Sequence, residues 1–160
     1  MRVILAFARI LVIAAPLAAA AQSDDDRRAD YYYPSITSTE RFARVMTAPP
    51  RTERSDRMAF VDALTADQMA AGHAPRFAVF AKGDEAEHLI IIALDDGVFD
   101  TLFRARAVMA QLSAPVRATR FFQMQGLDDR ATFYDMLRMI GFATLTLSDG
   151  KTWTHRVVFG

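Results

Sequence analysis

The segment RFAVFAKGDEAEHLIIIAL, residues 76–94, predicts the centre of the fold. An apolar run, Phe77–Ala81, is followed by the charged break Lys82–His88 and then by Leu89–Leu94, the most apolar run outside the N-terminal twenty residues. Short apolar runs bounded by turn residues are typical of buried strands. We therefore expect two core strands joined by a turn that pivots at Gly83.

The first 21 residues, MRVILAFARILVIAAPLAAAA, have the pattern of a secretory signal peptide cleaved after Ala21. Arg9 interrupts the apolar run and leaves it shorter than the roughly 20 residues that span a bilayer, so a membrane anchor is the less favoured alternative. Abundant alanine and arginine, with two lysines and no asparagine, indicate a GC-rich bacterial genome. We expect export to the periplasm, with no stable membrane insertion after cleavage.

Composition excludes several classes of function. The chain has no cysteine, which removes disulfides, thiolate metal sites and thiol nucleophiles. It carries 19 basic and 19 acidic residues, and loss of residues 1–21 leaves 17 basic and 19 acidic residues, a net charge of −2. Nucleic-acid binders usually carry a basic excess, so nucleic acid is not a predicted partner.

The remaining chain divides into a polar N-terminal arm, residues 22–56, and a folded domain, residues 57–160. The arm has one aromatic exception, Tyr31-Tyr32-Tyr33-Pro34. In one interpretation the arm straps across the domain with its aromatic rings in surface grooves. In the other it is a docking peptide for a partner protein, because tyrosine offers a large contact area at low entropic cost.

The apolar pattern of residues 57–160 predicts the element order β-α-β-β-α-α-β-β. Besides the two central strands, these elements are a strand Met58–Leu64, a short helix Thr65–Ala71, a helix Val98–Leu112 ended by Ser113-Ala114-Pro115, a helix from about Asp129 to Ile140, and a final hairpin that turns at Asp149-Gly150 and returns from Trp153 to Phe159. We expect an α+β fold in a single domain. Its mainly antiparallel sheet of about five strands carries two main helices on one face.

Polar residues that could carry chemistry concentrate in the break between the central strands. Lys82, Asp84, Glu85, Glu87 and His88 could supply metal ligands or an acid–base pair. The favoured alternative is a solvated turn that keeps a strand pair soluble.

The other candidate patterns are weak. The three histidines form no metal-binding motif, and His155 on the last strand is expected at the sheet surface. No serine has a G-x-S-x-G setting, and no glycine-rich nucleotide loop occurs. The sequence therefore predicts no catalytic residue, no metal site and no cofactor.

Several motifs resemble a group of short exported proteins from alphaproteobacteria of the Rhodobacter type. These motifs are YYYP-x-x-T-S at 31–38, FAKG-x-E-A-E-x-LII at 80–91, DG-x-F/Y-DTL-x-R-x-R-A at 96–107, and the C-terminal GF-x-x-x-T-x-SDG and HR-V. Some members carry the label molybdopterin-guanine dinucleotide biosynthesis protein A, which implies transfer of a nucleotide from GTP. The glycine-rich loop L-A-G-G-x-S-x-R-M-G of that nucleotidyltransferase family has no counterpart in this sequence.

Three functions remain open. The first is a periplasmic, non-enzymatic binding or assembly module with an envelope protein as partner. The second is a small metal-binding protein or enzyme that uses the cluster from Asp84 to His88. The third is the nucleotidyl transfer implied by the family label.

Overall fold

The computed structural model describes residues 35–43, 52–117, 123 and 131–160. In chain order, the elements within these residues are β1 (Ser38–Phe42), α1 (Arg54–Ala70), β2 (Phe77–Lys82), β3 (His88–Ala93), α2 (Leu102–Arg117), α3 (Phe133–Met139), β4 (Thr144–Ser148) and β5 (Thr154–Phe159). The fold is α+β, as the sequence predicts. None of the described helices is long and apolar enough to cross a membrane.

The five strands form one sheet in the order β1-β5-β4-β3-β2. The expectation of a mainly antiparallel sheet is wrong, because β2/β3 and β4/β5 pair antiparallel while β3/β4 and β1/β5 pair parallel. The reason lies in the connections. A short turn reverses the chain and gives an antiparallel pair, whereas the long connection through α2 and α3 brings β4 back parallel to β3.

Both hairpins agree with the sequence. The strand from Phe77 pairs with the strand that ends at Ala93, and β4 turns at Asp149-Gly150 into β5. The Asp149 carboxylate accepts hydrogen bonds from the backbone N–H groups of Lys151, Thr152 and Trp153. Burial acts to raise the pKa of Asp149, but these hydrogen bonds outweigh it and lower the pKa below its ordinary value.

The predicted strand Met58–Leu64 is wrong, because α1 runs unbroken through it from Arg54 to Ala70. A capping box between Glu53 and Asp56 starts the helix, eleven residues earlier than the sequence suggests. The buried residues of α1 are Arg57, Val61 and Leu64. Their spacing of four and three is helical, and a short apolar run does not by itself separate this pattern from a strand.

The predicted stop of the next helix at Ser113-Ala114-Pro115 is also wrong. Helix α2 begins at Leu102 and continues to Arg117, with the Thr101 hydroxyl accepting from the N–H of Arg104. Pro115 lies in the last turn, two residues before the helix ends, so the hydrogen bond that it removes affects only the end of the helix.

Helix α3 confirms the second predicted helix over the described part of its range. Thr132 caps it, since the Thr132 hydroxyl accepts from the N–H of Asp135 and the Asp135 carboxylate accepts from the N–H of Thr132. The predicted start near residue 129 lies outside the described residues.

The main core lies on one face of the sheet, here named the helix face. Leu89 and Ile91 of β3, Leu145 and Leu147 of β4, and Val157 of β5 join buried residues of all three described helices in a single cluster. The opposite face is named the second face. It carries the alternate residues of each strand, and its apolar part is a separate cluster of Ile90, Ile92 and Phe80.

The range predicted as the N-terminal arm contributes a strand. β1, within residues 22–56, forms the edge of the sheet beside β5. The predicted signal peptide, residues 1–21, and the segment Tyr31–Pro34 lie outside the described residues.

Candidate functional site

The break between the central strands is an ordered turn in the structure. Gly83 and Ala86 both have positive φ angles, 91° and 55°, and Ala86 is buried beneath the turn. The Glu87 carboxylate accepts from the N–H of Glu85 at 3.0 Å and lies 3.4 Å from Nε2 of His88. On the other side, Nδ1 of His88 is 3.0 Å from the Thr144 hydroxyl. These contacts use the polar side chains to shape the turn.

Arg57 of α1 anchors this turn to the body of the protein. Its side chain is only 6% exposed, and its Nε donates to the Glu85 carbonyl oxygen at 2.6 Å. The same guanidinium group donates to the carbonyl oxygens of Thr52 and Ile140 and forms an ion pair with the Glu85 carboxylate at 3.5 Å. Arg57 therefore has a structural role, and Glu85 is part of the contacts that hold the turn in place.

The turn does not gather a metal-ligand set. Asp84 is exposed, Lys82 pairs with His88 at the end of the β2/β3 ladder, and Glu85 is held by Arg57. Over the described ranges, no three histidine or carboxylate side chains come together in positions that could hold a metal ion.

A second polar cluster, here named the Glu40 cluster, consists of Ser38, Glu40, Arg106, Tyr134 and His155. Parallel pairing of β1 with β5 places Ser38 opposite His155 and Glu40 opposite Val157. Val157 belongs to the core on the helix face. Cross-strand partners lie on the same face of a sheet, so these polar residues of β1 point toward α2 and α3.

Glu40 is the centre of this cluster. One carboxylate oxygen accepts from the Arg106 guanidinium at 2.7 Å, and the other lies 3.5 Å from Nε2 of His155. The His155 side chain is 2% exposed, its Nδ1 is 2.8 Å from the Ser38 hydroxyl, and its ring stacks on Trp153. Nε2 of His155 has no hydrogen bond within the described part of the chain. The expectation of a sheet-surface histidine is therefore wrong.

Tyr134 brings α3 to the same cluster. Its hydroxyl oxygen is buried near Glu40 and Arg106, but no atom of the described residues forms a hydrogen bond with it in good geometry. Burial, reinforced by the negative charge of Glu40, raises the pKa of Tyr134 to about 12, although Arg106 acts in the opposite direction. The Tyr134 hydroxyl therefore stays protonated over the whole physiological pH range and can donate a hydrogen bond.

An open cleft of about 360 Å³ adjoins the Glu40 cluster between α2, α3 and β1. Its walls are mainly apolar, and the edge-on packing of the Phe42 and Tyr134 rings, with centroids 5.3 Å apart, forms part of them. The lining residues are Phe42, Arg106, Met109, Ala110, Ser113, Arg117, Thr132, Phe133 and Tyr134.

Arg117 gives the cleft a positive charge. Its Nε donates to the Ala131 carbonyl oxygen at 2.8 Å, which fixes the side chain between the end of α2 and the start of α3. No carboxylate among residues 35–43, 52–117, 123 and 131–160 forms an ion pair with it. Arg106, by contrast, is neutralised by Glu40.

The sequence gives little sign of this site. Ser38 and His155 are 117 positions apart, and Arg106 and Glu40 are 66 apart. Only the topology brings them together. The available signal was the alternation in STERF, where Ser38, Glu40 and Phe42 share one face of a strand.

Comparison with known proteins identifies no relative: no protein-family model, no curated protein and no solved structure matches the chain.

Proposed function

We propose that this protein is an exported, non-enzymatic binding module of the bacterial envelope whose cleft takes a small amphipathic anion. The observation that carries the proposal is the cleft of about 360 Å³ between α2, α3 and β1. Ligand sites are typically concave, largely apolar pockets of roughly 300–1,000 Å³ with a few convergent polar groups. This cleft has that size and that composition.

The charge of the cleft favours an anion. Arg117 has its Nε occupied by a backbone carbonyl, which leaves the two terminal nitrogens of the guanidinium to face a ligand in the planar geometry that suits a carboxylate or phosphate. The buried Tyr134 hydroxyl can donate to the same group because it stays protonated. The apolar walls, which include Phe42 and Met109, suit a hydrocarbon portion.

The location follows from residues 1–21, whose pattern is that of a secretory signal. A binding module delivered to the periplasm would work beside an envelope protein, either by presenting its ligand to that protein or by accepting it from one.

Octanoate and octylamine offer a direct test, because they share an alkyl tail and carry opposite charges. We expect millimolar octanoate to raise the thermal midpoint of the protein and octylamine to leave it unchanged. Arg117→Gln should weaken octanoate binding at least about tenfold, since a charge-assisted hydrogen bond contributes roughly 1.5–3 kcal/mol.

Arg104→Gln is the matched control. Arg104 lies on the same helix, is 55% exposed and pairs with Asp100 away from the cleft lining. The proposal fails if octylamine binds as well as octanoate, or if Arg104→Gln loses as much affinity as Arg117→Gln.

The two alternatives from the sequence have their own tests. Metal binding at the turn from Asp84 to His88 requires that Zn²⁺ or Ca²⁺ shift the thermal midpoint and that His88→Ala abolish the shift. Nucleotidyl transfer requires heat of binding on titration with GTP. We expect no metal signal, because Glu85 and Glu87 are engaged in holding the turn. We expect no heat with GTP, because the sequence has no glycine-rich nucleotide loop.

One contact favours a second candidate function, hydrolysis of an ester. The Ser38 hydroxyl, Nδ1 of His155 and the Glu40 carboxylate stand in the order of nucleophile, base and acid. In such a reaction Ser38 Oγ attacks the acyl carbon and its proton passes through His155 to the departing alkoxide. Water activated by the same nitrogen then releases the acid and frees Ser38.

A fluorophosphonate probe distinguishes this candidate from simple binding. Hydrolysis predicts a covalent adduct on Ser38 that disappears in Ser38→Ala and in His155→Gln. Ser35→Ala is the control, because Ser35 is exposed and precedes β1. An unlabelled protein excludes the hydrolase.

A further inference from the structure

β2 forms one edge of the sheet, because the strand order β1-β5-β4-β3-β2 gives it β3 as its neighbour among the described strands. Exposed edge strands tend to pair with other chains, and proteins usually protect them with charged residues, proline or bulges. β1, at the other edge, carries Glu40 and Arg41 within the strand. The interior of β2, residues 77–81, reads FAVFA, contains no charge and no proline, and pairs with β3 without a bulge. β2 is therefore the less protected edge.

The pairing of β2 with β3 shows which backbone groups point away from the sheet. The N–H of Leu94 donates to the carbonyl oxygen of Arg76, so these two residues form a hydrogen-bonded pair. Such pairs alternate with non-hydrogen-bonded pairs along an antiparallel ladder. The residues that direct their backbone groups outward are therefore Phe77, Val79 and Ala81.

Phe77 differs from the other two residues in having a partner for its N–H group. This N–H donates to the side-chain oxygen of Gln68 in α1 at 3.3 Å, which agrees with its outward direction. For the outward N–H and carbonyl groups of Val79 and Ala81, no described residue supplies a hydrogen bond. Val79 is still 8% exposed although its side chain belongs to the core, and Ala81 is half-buried. Unpaired backbone groups at a sheet edge are what an added strand binds.

A second copy of β2 matches this edge when the two strands pair antiparallel about a two-fold axis at Phe80. Val79 then lies opposite Ala81 of the second copy, and Ala81 lies opposite Val79 of the second copy. Both are pairs of outward-directed residues, so all the unpaired groups of the two edges form hydrogen bonds with each other. Phe80 lies opposite its own copy, and cross-strand aromatic pairs stabilise a sheet.

Charge and space favour this register. Arg76 comes opposite Asp84 of the second copy, and both residues are exposed. Opposite charges across a pair of strands are favourable, whereas like charges are not. Gly83 of the second copy comes opposite Phe77, where Gln68 occupies the edge, and a glycine leaves room for that side chain.

A shift that centres the axis on Val79 is disfavoured for two reasons. It would place Arg76 opposite Lys82 of the second copy, which brings like charges together. It would also make Phe77 and Ala81 a hydrogen-bonded pair, although Gln68 already binds the N–H of Phe77.

We propose that the protein forms a two-fold dimer in which the β2 strands of two copies pair antiparallel and join both sheets into one continuous sheet. This proposal is independent of the proposed function. The cleft lies beside β1, which is the opposite edge of the sheet, so both clefts stay accessible in the dimer.

Sedimentation velocity of the full chain tests the dimer. We expect dimers at micromolar concentration. Ala81→Pro should weaken the dimer at least about tenfold, because it removes an outward N–H from each edge while the hydrogen bonds to β3 stay intact. Circular dichroism shows that the variant is folded. A monomeric wild type, or a folded Ala81→Pro variant that dimerises as tightly as the wild type, overturns the proposal.

Charge reversal tests the partner and the register without altering the backbone. Arg76→Asp and Asp84→Arg each place like charges opposite each other twice in the dimer, so each variant should dimerise about fivefold more weakly or worse. An equimolar mixture of the two variants should form a heterodimer as tight as the wild type, because every charge then meets its opposite.

Arg41→Asp is the matched control for the charge reversals, because Arg41 is an exposed arginine on the other edge strand. This change should leave the dimer unchanged. An equal loss in Arg41→Asp, or no recovery on mixing Arg76→Asp with Asp84→Arg, overturns the proposal.

A disulfide locates the two-fold axis, since the chain has no natural cysteine. The Cα atoms of Phe80 and its copy form a non-hydrogen-bonded pair about 4.5 Å apart, which a disulfide can bridge. Phe80→Cys should therefore give a covalent dimer on mild oxidation. Lys82→Cys should give at least about fivefold less, because its two copies are about 13 Å apart along the strands. Equal yields for the two variants contradict the axis at Phe80 and overturn the proposal.

Discussion

The two polar clusters of this protein contain the same kinds of side chain in opposite settings. In the β2–β3 turn, the carboxylates and the histidine are contiguous in sequence. The Glu87 carboxylate accepts a hydrogen bond from the backbone and pairs with His88, and the Glu85 carboxylate forms an ion pair with Arg57. In the Glu40 cluster, the partners come from β1, β5, α2 and α3, and two buried polar atoms have no partner in the described chain. The charged groups of Glu85, Glu87 and His88 in the turn have partners, whereas the Glu40 cluster has polar atoms that could still form hydrogen bonds.

The unpaired polar groups of the Glu40 cluster indicate a ligand site. Buried polar groups are normally hydrogen-bonded, and an exception requires an explanation such as a ligand. The Tyr134 hydroxyl and Nε2 of His155 are such exceptions, and Tyr134 lines the cleft. The charged side chains of the turn need no ligand to explain them, because Glu85, Glu87 and His88 form contacts that hold the turn in its shape.

The largest expected effect is that of Arg57→Ala. Removal of this buried guanidinium group leaves three carbonyl oxygens without their donor and separates the turn from α1. We expect a loss of about 3–4 kcal/mol in the free energy of unfolding, measured with urea.

Glu85→Gln is the control for the ion pair. Because the Glu85 side chain is 72% exposed, this change should cost less than about 0.5 kcal/mol. Equal losses for the two variants would mean that the ion pair, and not the hydrogen bonds to carbonyl oxygens, anchors the turn.

Gly83→Ala should have the next largest effect. Gly83 has a φ of 91°, and an added Cβ would overlap the Glu87 carboxylate. We expect a loss of about 1–2 kcal/mol from backbone strain and displacement of Glu87. Addition of Glu87→Ala should restore only the part due to the overlap. Full restoration by Glu87→Ala would contradict the strain at Gly83.

Tyr134 makes the free energy of unfolding change with pH in the alkaline range. Its pKa in the folded protein is about 12 against an ordinary value of 10.0, so above pH 10 the unfolded chain loses the phenolic proton first. The contribution is complete below pH 10 and is lost as the pH rises toward 12. Because the side chain is only half-buried, we expect about 1 kcal/mol.

Tyr134→Phe isolates this effect from the other titrating groups. The variant should match or exceed the wild type in stability at pH 7, because an unpaired buried hydroxyl is removed. It should also lose less stability between pH 10 and 12, as judged by urea unfolding. Parallel curves for the two proteins would show that Tyr134 is not buried near Glu40.

The smallest effect belongs to Asp149 in the other hairpin turn. Its pKa is lowered in the folded protein, so its carboxylate stabilises the fold above pH 4, and this contribution is lost as the pH falls below that value. Asp149→Asn should cost about 0.5–1 kcal/mol at pH 7. The cost should decrease as the pH falls below 4 in thermal unfolding, and a cost that does not change with pH would exclude a role for the charge.

Local patterns predicted much of the fold. Apolar runs and turn residues identified β2, β3, β4 and β5, since the physical causes of these strands lie within a few residues of each one. Helix α1 was mistaken for a strand in its first half because Met58–Leu64 is a short apolar run, and its capping residue Glu53 is not among the usual N-cap types. β1 was missed because its residues are mostly polar and exposed, as an edge strand allows.

The candidate site could not be predicted in the same way. His155 looked like a surface residue until parallel pairing with β1 placed it under Trp153 and beside Glu40. Parallel pairing between the two ends of a chain leaves no local pattern. The sequence therefore showed the turn, where the charges are contiguous, and could not show the cluster that has open hydrogen-bonding capacity.

A ¹H–¹⁵N NMR titration of the protein with octanoate tests ligand binding in the cleft directly, because it locates binding on the molecule. We expect saturable shifts in β1, in α2 around Arg106 and Arg117, and in α3 around Tyr134, with residues 82–88 unchanged. Shifts confined to residues 82–88, or none anywhere at millimolar octanoate, would contradict it.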